Sequence, residues 1–259
     1  MKKKIACAIV PLMIFSGACS APAKEDKHPA KAEQNQDTAK QQADEMVLEG
    51  KYFNAVQAVN GKQIIKNPEN ILVLANKHYT LPGDYEPNDL VVPNVPFSFG
   101  NADIPQKYVR KEAAEALESL FSSAKDNDIE LFAVSGYRSY KRQEGIFRQE
   151  IADKGEKRAE EAVALPGQSE HQTGLAMDIS SRSVNLELTK EFGETAEGKW
   201  VRENAYKFGF IIRYLNDKEN ITEYMYEPWH LRYVGKETAG ILHEKNLTLE
   251  EYFEQVKKI

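Results

Sequence analysis

From Ser169 to Ser180 the chain changes its period part-way along, and that change dictates the local architecture. Thr173 and Gly174 break any helix begun at His171. Leu175, Met177 and Ile179 then alternate with Ala176, Asp178 and Ser180, the two-residue period of a half-buried strand. Asp178 therefore faces away from the core side. The geometry implied is a loop histidine followed by a strand aspartate, so an ion shared by the two sits at the surface of a sheet. It is not the helical pair of a His-Glu-x-x-His protease.

A second constraint lies in Glu227-Pro228-Trp229-His230. Pro228 pushes Glu227 into an extended conformation, and on a regular strand Glu227 and His230 point to opposite faces. For both to reach one site the chain must turn or bulge at Pro228. A third segment, Ser135-Gly136-Tyr137-Arg138-Ser139-Tyr140 followed by Gln143, brings a guanidinium fork that suits a carboxylate. His171, Asp178 and His230 together make a catalytic zinc set with the fourth position open for water. One carboxylate against a divalent ion leaves net positive charge, enough to acidify water and polarise a carbonyl. Taken singly, each residue also has an ordinary reading as a surface histidine, a strand-end aspartate or an aromatic edge strand.

Turn signals break the rest of the domain into short helices and strands without internal repeats. A helical stripe runs over 111–123 through Ala114, Leu117, Leu120 and Phe121, and Asp126-Asn127-Asp128 ends it. A strand is expected over 129–135. Ser139 can cap a helix reaching Ile151 with Ile146, Phe147 and Ile151 buried, and a further helix is expected over 156–164 before Pro166-Gly167. Helices over 197–207, 237–243 and 249–257 and strands over 208–214 and 229–234 complete the pattern. With no regular strand-helix alternation, the expected class is α+β, a small central antiparallel sheet flanked by helices. The region 46–67 reads as a small hairpin or an arm.

The N-terminus is of a different kind. Met1-Lys2-Lys3-Lys4 precedes an apolar run from Ile5 to Phe15 that is too short to span a bilayer, the shape of a secretory signal peptide. It closes on Ser16-Gly17-Ala18-Cys19, which resembles the processing site of bacterial lipoproteins. The expectation is a signal peptide over 1–18, then a lipidated Cys19 and a tether over 19–45, and a catalytic domain over 46–259. The only cysteines are Cys7 and Cys19, so the mature chain forms no internal disulfide. The tether is mostly Ala, Lys, Glu, Gln and Asp and cannot bury enough surface to order itself. His28 within it is expected to be solvated. Removing Lys2, Lys3 and Lys4 takes the formal charge from −6 to −9, and the folded part has no basic cluster, so no nucleic-acid partner is expected.

The three segments, in order and internal spacing, resemble the D-alanyl-D-alanine carboxypeptidase and L,D-carboxypeptidase branch of the lysostaphin and D-Ala-D-Ala metallopeptidase superfamily. The resemblance covers roughly residues 70–234, with Ser-x-His-x-x-Gly-x-Ala-x-Asp and Glu-x-Trp-His both complete. It implies that His171, Asp178 and His230 bind Zn2+ and that Glu227 is the general base. It further implies that Arg138 and Gln143 hold the substrate's terminal carboxylate, with Ser169 near the substrate. A monomer is expected, membrane-tethered and facing the cell wall, that removes the terminal D-alanine of peptidoglycan stem peptides. Trp229, Tyr137, Tyr224 and Tyr226 either line the substrate groove or pack in the core. His78 and His243 complete no metal motif.

Two other readings compete. A serine D,D-peptidase finds Ser-x-x-Lys in Ser122-Ser123-Ala124-Lys125 and a weaker second element in Ser183-Val184-Asn185, but the third, Lys-Thr-Gly or Lys-Ser-Gly, is absent. A lipoprotein that binds wall peptides without turnover has no need of Glu227.

Overall fold

The computed structural model describes residues 46–259. The expected signal peptide, the lipidated Cys19, the tether and His28 lie outside the described residues. Among those described, no helix is long and apolar enough to cross a membrane.

The domain opens with β1 (Val47–Leu48), and of the hairpin or arm expected next the chain forms a hairpin, β2 (Val56–Val59) and β3 (Lys62–Ile65). Asn60 and Gly61 turn it with φ of 50° and 78°, the conformation that a two-residue hairpin loop demands. β4 (Tyr79–Thr80) adds parallel to β3, and β5 (Leu90–Val91) pairs with β6 (Val109–Arg110). Helix α1 (Lys111–Asp126) follows, its buried stripe being Ala113, Ala114, Leu117, Leu120, Phe121 and Ala124.

Next come β7 (Phe132–Ser135), α2 (Tyr140–Lys154), α3 (Glu156–Ala162) and β8 (Ala176–Ser180). Ser139 caps α2 as expected, its hydroxyl accepting from the Arg142 amide at 3.2 Å. The chain continues through α4 (Ala196–Asn204), β9 (Phe210–Tyr214), the single turn α5 (Glu219–Thr222), β10 (Glu227–Tyr233), α6 (Lys236–Lys245), α7 (Leu249–Gln255) and β11 (Lys257–Lys258). A capping box between Thr248 and Glu251 starts α7. β11 runs parallel to β1 and joins the two ends of the domain.

β7-β8-β10-β9 form the central sheet in that order, antiparallel throughout, which is the expected α+β architecture. One core cluster packs Leu175, Met177, Ile179, Leu231 and Phe210 against the α1 stripe. Each such fully buried aliphatic or aromatic side chain stabilises the fold by about 1.5–3 kcal/mol. A second cluster seats Ala239, Leu242, Leu249 and Tyr252 on Leu72, Leu74 and Ile211.

Three expectations are corrected. β8 is buried on both faces, not half-buried: Asp178 does face away from the apolar core, but His171 and His230 roof it and leave it 3% exposed. On α2 the residues Ile146, Phe147 and Ile151 are only half-buried, and the buried one is Gln143. Finally, α3 ends at Ala162 because Val163 turns extended, which brings the Ala164 carbonyl to the Gln143 amide at 2.7 Å.

Candidate active site

The sheet register assembles the site. His230 on β10 lies directly across from Asp178 on β8, a cross-strand pair whose side chains share one face. Ser135 on β7 partners Asp178 from the other side. Between Glu227 and Leu231 the pairing of β10 with β9 shifts register, which is the irregularity expected at Pro228. That bulge lets Glu227 and His230, three residues apart, turn to the same place, with Glu227 Oε2 at 3.7 Å from His230 Nδ1.

His171 arrives on a one-turn 3-10 segment, Glu170–Thr173, and Gly174 ends it at φ 67°. A Cβ at Gly174 would meet Leu90 and Arg110 side-chain atoms at 2.9 and 3.0 Å, so conformation and space both demand glycine there. His171 Nδ1 bonds the Gly136 carbonyl at 2.8 Å, which leaves Nε2 aimed at Asp178 Oδ2, 3.3 Å away. Gly136 is equally constrained, since a Cβ there would collide with the Tyr108 carbonyl. Asp178 Oδ1 lies 3.2 Å from His230 Nδ1 and makes no hydrogen bond of its own. One ligand atom from each of His171, Asp178 and His230 falls within 4.8 Å of the other two, and all three residues are buried. Two imidazole nitrogens and one carboxylate oxygen, with the His171 ring oriented by a backbone carbonyl, form a donor set that fits zinc.

A cleft of about 240 Å³ opens over this cluster, and Arg138, Gln143, Ser169, Tyr214, Tyr224 and Trp229 are among the residues that line it with Glu227. Arg138 donates to Gln143 Oε1 at 3.0 Å and to Ser135 Oγ at 3.2 Å, and its backbone amide bonds the His171 carbonyl. Gln143 thus holds the guanidinium with its oxygen and the Ala164 carbonyl with its nitrogen. Of the tyrosines read as lining the groove or packing in the core, Tyr224 lines the cleft, Tyr137 is buried away from it, and Tyr226 does not line it. Tyr214 takes their place, its ring 5.1 Å from that of His230.

Burial and charge set the protonation behaviour. Burial pushes the Glu227 carboxyl up to about 7, with His230 and Arg138 opposing the rise and Asp178 and Glu170 adding to it. Burial works against the Asp178 charge too, but the two histidines outweigh it and hold that carboxyl far below the usual range. His171 is lowered by burial despite Asp178. Burial works against a charged His230, but the Asp178 and Glu170 carboxylates beside it outweigh burial and raise it to about 9.

Sequence reasoning missed the charges behind the site. Glu170, Arg213 and Arg232 are each at most 1% exposed, and both arginines donate to Glu170 Oε1, at 2.8 and 2.7 Å. The available signal was an arginine inside an apolar strand, in Phe-Ile-Ile-Arg-Tyr and again in Leu-Arg-Tyr, because a buried charge requires a partner. The remaining sequence candidates lie away from the cleft. His78 pairs with Glu223 on the surface, His243 stacks on Tyr206, and Ser122 of the Ser-x-x-Lys sequence is exposed on α1.

An α+β domain with two histidines, an aspartate and a raised-pKa glutamate over an arginine-bearing cleft defines a metal-dependent hydrolase. The family model for D-alanyl-D-alanine carboxypeptidase (VanY) matches residues 106–236, and the chain belongs to that family. It is 62% identical to YodJ of Bacillus subtilis (strain 168) over 84% of this chain and 80% of that one. A solved structure of the LD-carboxypeptidase LdcB superposes with a TM-score of 0.81 at 62% identity, covering 83% of this chain and 100% of that chain. A variant of the vancomycin-resistance D,D-pentapeptidase VanY, solved with Zn(II), gives a TM-score of 0.58 at 33% identity over 70% of this chain and 98% of its own. The protein is a zinc-dependent metallo-carboxypeptidase.

Proposed function

We propose that this enzyme removes the C-terminal D-alanine of peptidoglycan stem peptides, with the L,D bond of a tetrapeptide as its substrate bond. The observation that carries the reading is the convergence of His171, Asp178 and His230 within 4.8 Å, beneath a cleft that also holds Glu227 and Arg138. The preference for the L,D bond rests on 62% identity with an LD-carboxypeptidase against 33% with a D,D-pentapeptidase. His171, Asp178 and His230 hold the zinc. Bound there, zinc polarises the scissile carbonyl and acidifies water.

The chain's own residues do the rest. Arg138, steadied by Gln143 and Ser135, binds the terminal carboxylate through a charge-assisted fork, with Ser169 beside the substrate, and so selects a chain end over an internal bond. Trp229, Tyr214 and Tyr224 wall the cleft against water. Glu227 takes the proton of the attacking water and hands it to the leaving amine, a task suited to a carboxyl raised to about 7. Mass analysis of muropeptides incubated with the purified protein, with zinc and with a chelator, tests the whole reading. Tetrapeptides shortened to tripeptides only with zinc support it, and shortening of pentapeptides alone reassigns the bond.

The enzyme acts outside the cytoplasm, on wall peptides. Its attachment follows from the N-terminus: after removal of residues 1–18, Cys19 carries the lipid anchor, residues 19–45 form the tether and 46–259 the catalytic domain, which works as a monomer. A single acyl chain holds weakly, so Cys19 is expected to carry two or more. Cys19→Ala should release the protein into the medium, and a variant that stays in the membrane fraction refutes this anchor.

A further inference from the structure

Glu170 belongs to no part of the reaction described above, yet its carboxylate is completely buried. Oε1 is saturated by Arg213 Nε and Arg232 Nη1. The other oxygen, Oε2, is buried without a hydrogen-bond partner, and so is His230 Nε2. These two atoms face each other at 3.6 Å. That is about 0.7 Å longer than a typical hydrogen bond, between two buried atoms that each lack a partner.

Both arginines are anchored independently of His230. Arg232 also donates to the carbonyls of Tyr233, Ile71 and Val73, and Arg213 grips Glu250 with both terminal nitrogens at 2.8 and 2.6 Å. Glu170 is therefore clamped from behind and has one oxygen left, aimed at the imidazole edge remote from Asp178. We infer that Glu170 is the positioning residue of His230: its Oε2 accepts the Nε2 proton, fixing the tautomer and ring plane that present Nδ1 to the metal. His171 has the equivalent support in the Gly136 carbonyl. Each imidazole ligand then has an outer acceptor, one a backbone carbonyl and the other a carboxylate braced by two arginines.

This inference rests on the assignment of His230 as a zinc ligand, and the experiment separates the two. Zinc affinity of the folded metal-free protein is measured by chelator competition for wild type, Glu170→Gln and His230→Ala, alongside metal-free melting temperatures. Glu170→Gln should weaken zinc binding about 10- to 100-fold, the usual loss for an outer-shell partner. A purely structural glutamate would lower the melting temperature and leave the affinity of the folded protein within twofold, which overturns the inference. If His230→Ala also keeps wild-type affinity, the ligand assignment itself falls. Should Glu170→Gln not fold, cadmium-loaded wild type with 15N-labelled histidine decides. Metal coupling on Nδ1 of His230, with a slowly exchanging Nε2 proton, supports the inference. Coupling on Nε2, or an Nε2 proton exchanging as fast as a solvated one, refutes it.

Discussion

Two concave regions of this domain differ in size and in what their charges do. The larger, about 700 Å³, lies among Phe53, Leu74, Tyr79, Phe253 and the acidic start of α7. Two of its carboxylates are occupied: Glu250 by Arg213 and Asn76, and Glu251 by Lys218 and by the Thr248 amide of its own helix cap. The smaller, about 240 Å³, holds Asp178, Glu227 and two histidines packed against one another, with buried polar atoms that have no hydrogen bond. Volume therefore does not mark the reactive place. Charges that cancel within the protein brace the fold, whereas charges held close together without cancellation are set up to meet something else.

The widest separation between the two regions should come from His171→Ala. Zinc content by atomic absorption and turnover should be lost together. A variant that stays active after its metal is stripped would sink the ligand set. Next is Glu227→Gln, which keeps size and hydrogen bonding but cannot take up a proton, so turnover should fall by roughly two to four orders of magnitude while zinc stays bound. Retained turnover in that variant removes Glu227 from the reaction.

Arg138→Ala removes a charge-assisted contact worth about 1.5–3 kcal/mol, so kcat/KM should drop roughly 10- to 150-fold, mainly through KM. The loss should shrink on a substrate whose terminal carboxylate is amidated. Equal losses on both substrates make the arginine structural and remove the main argument for exopeptidase action.

The smallest effect lies in the larger groove. Burial opposes the Glu250 charge, but Arg213 outweighs it and lowers that carboxyl below its ordinary value. Its stabilisation is then complete above the unfolded-state pKa, about 4.3, and is lost as pH falls through the folded value. Melting temperatures taken from pH 7 down to pH 3 should fall less steeply for Glu250→Gln than for wild type. Parallel curves would show that the Arg213 pair does not govern acid stability.

How legible all this was depends on the range of the interaction. The Gly174 break, the Ser139 cap and the α1 stripe are written in neighbouring residues, and the corresponding elements form where local chemistry asks for them. The grouping of His171, Asp178 and His230 was legible as well, because His171 and Asp178 share one local pattern and the Glu227 to His230 segment carries its own proline. What faced those residues was not legible. β8 reads as half-buried by alternation, yet the histidines that bury its other face come from a 3-10 turn and from β10.

The amino-acid order by itself determined the strand and helix positions and the residues able to hold a metal, since a two-residue or helical period and a proline act over a few bonds. Tertiary structure alone decided that His230 stands across from Asp178, that Gln143 serves Arg138, and that Glu170 is enclosed by Arg213 and Arg232. Those contacts join residues as far as 62 positions apart. A buried charge is tolerable only where another part of the chain brings its counter-charge, and strand pairing is what settles which part that is.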